Sequence, residues 1–195
     1  MCPFHKSDNV IKKGLIEFAV QLNSPNQDAR PEGTEINLII IHGISLPPGE
    51  FGNTYIQDLF MNKLDFQAHQ YFENMKNLKV SAHLLINRDG VLFQFVPFHN
   101  RAWHAGESSF RGKKCCNDFS IGIELEGTDH EQYTDEQYSC LGKILPSLFN
   151  EYPFLSPRKI AGHCDVSPLR KTDPGPAFDW LQLKQLLGTV KGEQG

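Results

Sequence analysis

The run INLIIIHGI at residues 36–44 constrains the fold of this chain more than any other stretch. Its apolar, β-branched part, residues 36–41, reads as a central strand buried on both faces, with a covering layer on each side of the sheet. Such a strand demands a sizeable core. A chain of 195 residues, 39% of them hydrophobic, supplies one within a single domain. This is the longest apolar run, and it falls well short of the ~20 residues needed to span a bilayer.

Further elements follow from pattern. Residues 81–87 and 91–96 flank Arg88-Asp89-Gly90, and an Asp-Gly pair between apolar segments signals a hairpin. FSIGIEL at 119–125 reads as another short strand and residues 158–163 as a last one. Thr134 with Gln137 three residues on makes a capping box, after which Tyr138, Leu141, Leu145 and Leu148 share one helical face. Pro146 falls inside that segment and is expected to kink the helix or end it early. A terminal helix near 179–187 carries Trp180, Leu183 and Leu187, with Gly188 as its stop. Residues 66–77 are a weaker helical segment, and residues 11–22 fit either helix or strand. With no repeat, low-complexity tract or linker, the chain reads as a single α/β (mixed α+β) domain at 24–188. Residues 1–23 are expected to pack on it, and 189–195 to form a flexible tail.

The net charge of −4, without a long basic block, gives no reason to expect nucleic acid or an anionic membrane as partner. Nor does any motif call for an obligate protein partner. The first 30 residues include Lys6, Asp8, Lys12, Lys13 and Glu17 and have no uninterrupted apolar core, so no signal peptide is expected. The five cysteines (Cys2, Cys115, Cys116, Cys140 and Cys164) form an odd set without a CxxC. Reduced thiols in the cytoplasm are the expectation.

Eight histidines are many for this length. His42 ends the central strand and points from a rigid element into a loop mouth. His163 ends another short apolar stretch, and Asp173 follows ten residues later in AGHCDVSPLRKTDPGP. Two His and one carboxylate are a recurrent catalytic zinc set that leaves a fourth position for water. Each alone is as consistent with a structural or exposed side chain. Two other sets compete with it. Cys164 and Asp165 flank His163 closely, but adjacent side chains on an extended chain point apart. Cys115-Cys116 with His104 or His130 lacks the second Cys pair of a structural zinc site. In IGIELEG, Ile121, Ile123 and Leu125 share one strand face while Glu124 and Glu126 share the other. Burying an unpaired carboxylate is costly, so Glu124 either meets solvent or faces a polar site.

Five blocks then stand in order: IHGISLPPGEFG (41–52), VSAHLLINRDG (80–90), RAWHAGES (101–108), CNDFSIGIELEGTD (116–129) and GHCDVSPLRKTDPGPAFDW (162–180). Together they resemble the AmpD family, cytoplasmic zinc-dependent 1,6-anhydro-N-acetylmuramyl-L-alanine amidases of cell-wall recycling. The resemblance implies a central mixed β-sheet flanked by helices, with a zinc cleft at one edge. It implies His42, His163 and Asp173 as ligands of one Zn2+, Glu124 as general base and Lys171 as the group that stabilises the transition state. It also places Trp103 and His104 in the groove for a 1,6-anhydro-muropeptide substrate. Asp as third ligand, rather than Cys, favours this family over the phage and animal branches of its superfamily. Two positions depart from the pattern: Gly43 stands where many relatives carry Asn, and Lys114-Cys115 stands where they tend to place an Arg. A muropeptide sensor with this fold would typically lose Glu124, Lys171 or the third ligand, and all are present. A wall-lytic amidase acting outside the cell is disfavoured by the free cysteines and the missing signal peptide.

Overall fold

The computed structural model describes residues 10–192. Its centre is a six-stranded sheet of β1 (Val20–Gln21), β2 (Leu38–Ile44), β3 (Leu84–Ile86), β4 (Leu92–Gln94), β5 (Ser120–Glu126) and β6 (Ile160–Gly162), in the order β6-β2-β5-β3-β4-β1. The sheet is mixed. β2 pairs in parallel with both β5 and β6, and β5 in parallel with β3, whereas β3 and β4 form the antiparallel hairpin expected around Asp89-Gly90. The helices are α1 (Tyr55–Phe60), α2 (Asp135–Glu151), the single turn α3 (His163–Val166) and α4 (Trp180–Gly192). Residues 66–77 hold a 3-10 helix, Gln70–Met75, rather than an α-helix.

The unbroken apolar run of β2 is explained by burial on both faces. Ile39 and Ile41 join Ile121, Ile123 and Leu125 against the apolar stripe of α2 and against Leu183 and Leu187 of α4. Leu38 and Ile40 face the other way, toward Cys116, Phe119, Ala161 and Val166. Each such side chain removed from water contributes about 1.5–3 kcal/mol before entropy is counted. On that second side, Leu85 of β3 packs with Ile56, Leu59 and Phe60 of α1.

Helix α2 starts at its capping box: Thr134 Oγ1 accepts from Gln137 N at 3.2 Å and Gln137 Oε1 accepts from Thr134 N at 3.0 Å. It does not stop at Pro146. Burial of Leu145 and Leu148 on either side of the proline outweighs a cost of about 3 kcal/mol and carries the helix to Glu151. Gly188 likewise fails to stop α4, because a lone helical glycine costs only about 1 kcal/mol and Leu183, Leu186 and Leu187 hold the helix on the core. The segment expected as a tail is therefore helical to Gly192, and residues 193–195 lie outside the described residues. The ambiguous stretch 11–22 is neither one helix nor one strand. Ile11–Lys12 and Leu15–Ile16 form a small ribbon, Val20–Gln21 joins the sheet edge, and Ile11 and Ile16 reach the main core.

Candidate active site

Parallel pairing sets the site. The Cα partner of His42 on β2 is Glu124 on β5, so the two side chains emerge beside each other near the carboxyl ends of their strands. β6, next to β2, ends at Gly162 and delivers His163 as the first residue of α3. Open α/β sheets characteristically gather ligand sites at the carboxyl ends of their parallel strands. The chain then loops back, and the backbone N–H of Cys164 donates to the carbonyl of Asp173 at 2.9 Å, bringing that carboxylate to the histidines.

The structure brings His42, His163 and Asp173 together, the one such group of three or more among the described residues that could hold a metal ion. His42 Nδ1 lies 2.9 Å from His163 Nδ1 and 3.2 Å from Asp173 Oδ2, and His163 Nδ1 lies 3.0 Å from the same oxygen. Three ligands of a tetrahedral zinc with bonds of about 2.0–2.1 Å lie roughly 3.3 Å apart, so this triangle has nearly the required size. Both rings are buried, and the nitrogens opposite the triangle are engaged, His163 Nε2 by the Ala105 carbonyl at 3.1 Å and His42 Nε2 by His104 Nδ1 at 2.9 Å. Glu124 Oε1 stands 3.8 Å from His42 Nδ1, while the buried Oε2 has no hydrogen-bond partner among the described residues. An orphaned carboxylate oxygen beside a His-His-Asp triangle fits a site built for a cation and a polar ligand.

The electrostatics agree with that geometry. Burial pushes the His42 imidazolium down to about 4, overriding Asp173, so the ring is neutral near pH 7 as a metal ligand must be. Burial, followed by repulsion from Asp173, raises Glu124 well above the ordinary carboxylate range, and Lys171 opposes the rise. For Asp173 burial works upward too, but hydrogen bonds from His163 and His42 outweigh it and hold the carboxyl low. Lys171 is itself exposed on the loop between α3 and Asp173, and its charge is felt by both His42 and Glu124.

Not every expected residue faces the cleft. Trp103 is half-buried, and its side chain helps to hold the Asp28 carboxyl below its ordinary range. His104, expected in the groove, lies beneath His42 instead: it is buried, with Nδ1 on His42 and Nε2 3.2 Å from Ser120 Oγ. Around Cys164 and Asp165 the chain is a helical turn, not extended, and Asp165 Oδ2 is occupied by the Gly162 N–H at 2.7 Å. Cys115 is exposed and Cys116 buried among apolar side chains, and neither joins a metal-holding group. Cys115, Cys116, Cys140 and Cys164 are all free, while Cys2 lies outside the described residues.

Three supporting residues escaped sequence reasoning. Asn117 Oδ1 accepts from the backbone N–H groups of His104 and Ala105 at 3.1 and 2.8 Å. Arg170 Nη2 donates to the Ala105 carbonyl at 2.6 Å, bracing the oxygen that meets His163. Tyr133 donates to the Pro174 carbonyl at 3.0 Å, and its hydroxyl fills the space a side chain at Gly43 would need. All three partnerships bridge distant stretches, so no local pattern announces them.

Comparison with known proteins follows the same lines. Residues 32–176 match the family N-acetylmuramoyl-L-alanine amidase. The 1,6-anhydro-N-acetylmuramyl-L-alanine amidase AmpD of Escherichia coli K12 is 49% identical over 178 residues, covering 91% of this chain and 97% of its own length. A crystal structure of a selenomethionine derivative of AmpD superposes with a TM-score of 0.88 at 49% identity, covering 90% of this chain and 98% of that one. The amidase AmiD of E. coli, solved with the substrate anhydro-N-acetylmuramic acid-L-Ala-D-γ-Glu-L-Lys, is 27% identical with a TM-score of 0.58, covering 80% of this chain and 60% of its own.

Proposed function

The chain belongs to the N-acetylmuramoyl-L-alanine amidase family, and from that premise we propose that it hydrolyses the amide between the muramic acid lactyl group and L-alanine in 1,6-anhydro-muropeptides. The observation that carries this reading is the His42-His163-Asp173 triangle with the Glu124 carboxylate beside it. His42, His163 and Asp173 would hold one zinc ion. When bound, zinc supplies a Lewis acid for the scissile carbonyl and a nucleophile from water near neutral pH.

Glu124 does the proton work. Its raised affinity for a proton suits a base that takes one from the attacking water and hands it to the departing L-alanine nitrogen. Lys171 turns an ammonium toward the carbonyl oxygen, where negative charge develops chiefly in the transition state. Trp103 stands next along the chain to the buried His104 and is assigned to the wall of the substrate groove. The four free cysteines among the described residues and the anhydro-sugar substrate support cytoplasmic cell-wall recycling as the setting.

The test is direct. Purified protein is incubated with anhydro-muramyl-tripeptide and, separately, with intact sacculi, and products are identified by mass spectrometry. Tripeptide release from the soluble muropeptide is expected, abolished by a chelator and restored by zinc. Full activity in a metal-free sample would overturn the zinc reading, and cleavage of sacculi alone would overturn the substrate.

A further inference from the structure

We propose that His104 is a positioning residue: together with Ser120 behind it, it holds His42 in the tautomer that offers Nδ1 to the metal. The inference rests on the zinc reading above. A neutral imidazole carries one N–H, so a ring that binds metal through Nδ1 must carry its proton on Nε2, and a buried N–H needs an acceptor. The two histidines of the triangle meet this need differently. His163 Nε2 faces the carbonyl oxygen of Ala105, which can only accept. His42 Nε2 faces another imidazole nitrogen, Nδ1 of His104, at 2.9 Å. That nitrogen accepts only when bare, which places the His104 proton on Nε2, pointing at Ser120 Oγ 3.2 Å away. A hydroxyl can turn to accept it. The tautomer demanded at the metal thus propagates through two rings to Ser120.

The surroundings are built for this ring. A Cβ on Gly122 would lie 2.5 Å from His104 Cγ and Nδ1, so the imidazole fits over β5 only because residue 122 has no side chain. Asn117 Oδ1 receives the N–H groups of both His104 and Ala105. One amide oxygen therefore anchors the two consecutive residues that meet the outer nitrogens of the two metal histidines.

The test compares zinc affinity, by competition with a chromophoric chelator, in the full chain and its variants. His104→Leu removes the acceptor and is expected to weaken zinc binding about 10–100-fold. His104→Gln keeps an oxygen for His42 and an NH2 for Ser120, and should restore affinity to within a few-fold of wild type. Ser120→Ala, which touches no ligand, should weaken zinc binding several-fold. In 15N-histidine spectra of the zinc-loaded wild type, the His104 proton should sit on Nε2, a signature that a packing role alone would not set. A His104 proton on Nδ1 in that sample, or equal zinc affinity in wild type and His104→Leu, would overturn the role of His104 alone. A wild type that binds no zinc would overturn the reading of the site itself. If His104→Leu does not fold, Ser120→Ala and the tautomer measurement still decide.

Discussion

On one face of β2 and β5, Ile39, Ile41, Ile121, Ile123 and Leu125 lie against α2 and α4 without a polar atom among their side chains. On the other face of the same two strands stand His42, Glu124, Glu126 and the bare Gly122. Both faces are buried, yet burial means opposite things on them. For the isoleucines it is the source of stability. For His42 and Glu124 it is a cost, offset for His42 by hydrogen-bonded neighbours and left partly open at the unpartnered Glu124 oxygen. On that face the changeover from apolar to polar happens within two residues of β2, between Ile40 in its apolar cluster and His42 at the site. Side-chain alternation together with position along the strand therefore separates stability from chemistry, and substitutions at the isoleucines and at the polar site should fail in different ways.

The largest expected effect is at the triangle. Asp173→Ala or His163→Ala should lose the zinc ion and with it nearly all turnover, while circular dichroism of the metal-free variant stays native. Chelation of the wild type should likewise leave the fold intact, since the apolar clusters on both faces of the sheet do not include the three metal-holding residues. Unfolding on chelation, followed by far-UV spectra, would break the separation and make the metal a structural element.

Glu124→Gln comes next. It should keep zinc and keep muropeptide affinity within a few-fold, while turnover falls by about 10²–10⁴, or about 3–5 kcal/mol of barrier. Lys171→Ala should act in the same sense, lowering turnover more than affinity. Weaker binding with unchanged turnover in steady-state kinetics would mean that these residues only grip the ligand. The matching experiment on the apolar face is Ile123→Ala, beside Ile41 and Leu84 in the sheet. Denaturant unfolding should show a loss of about 2–5 kcal/mol, with zinc affinity unchanged.

The same division decides what could be read from the chain alone. The run ending at His42, the Asp89-Gly90 hairpin, the Thr134–Gln137 cap and the His-His-Asp set each have a signal carried by near neighbours in sequence or by residue type. Helix lengths do not. α2 passes Pro146 and α4 passes Gly188 because distant side chains bury their apolar faces, and tertiary packing overrides propensity. The short strands before residue 22 exist through partners far along the chain: Val20 pairs with Phe93, and the Gln94 side chain accepts from Ile16 N and donates to Gly14 O. His104 was recognisable as belonging to the site. Its direction, downward onto His42 and not outward to substrate, depends on the space left by Gly122, which only the folded sheet reveals.

The smallest effect should come from an ion pair that looks strong. Arg101 grips Asp28 with two parallel bonds, Nε to Oδ1 at 2.7 Å and Nη2 to Oδ2 at 2.6 Å, and reaches Asp118 with Nη1 at 2.5 Å. The pair ties the ribbon of Gln27–Ala29 and Asn100–Ala102, which leads directly into Trp103 and His104. The Arg101 hydrogen bond holds the Asp28 carboxyl below its ordinary range, against a smaller opposing push from burial. A depressed acid favours its charged form in the folded state. Its contribution is thus complete above the unfolded value near pH ~3.9 and fades as pH falls through the lower folded value. The Asp28 side chain is 39% exposed, so solvent screens the pair. Asp28→Asn should therefore cost less than about 1 kcal/mol at pH 7, with the wild-type and variant stability curves converging below about pH 4. Zinc affinity should not change, because the ribbon's backbone bonds and the Asn117 anchor of His104 both remain. A loss well above 1 kcal/mol at pH 7, or a drop in zinc affinity, would show that the support of the metal histidines extends outward through the ribbon to this surface pair.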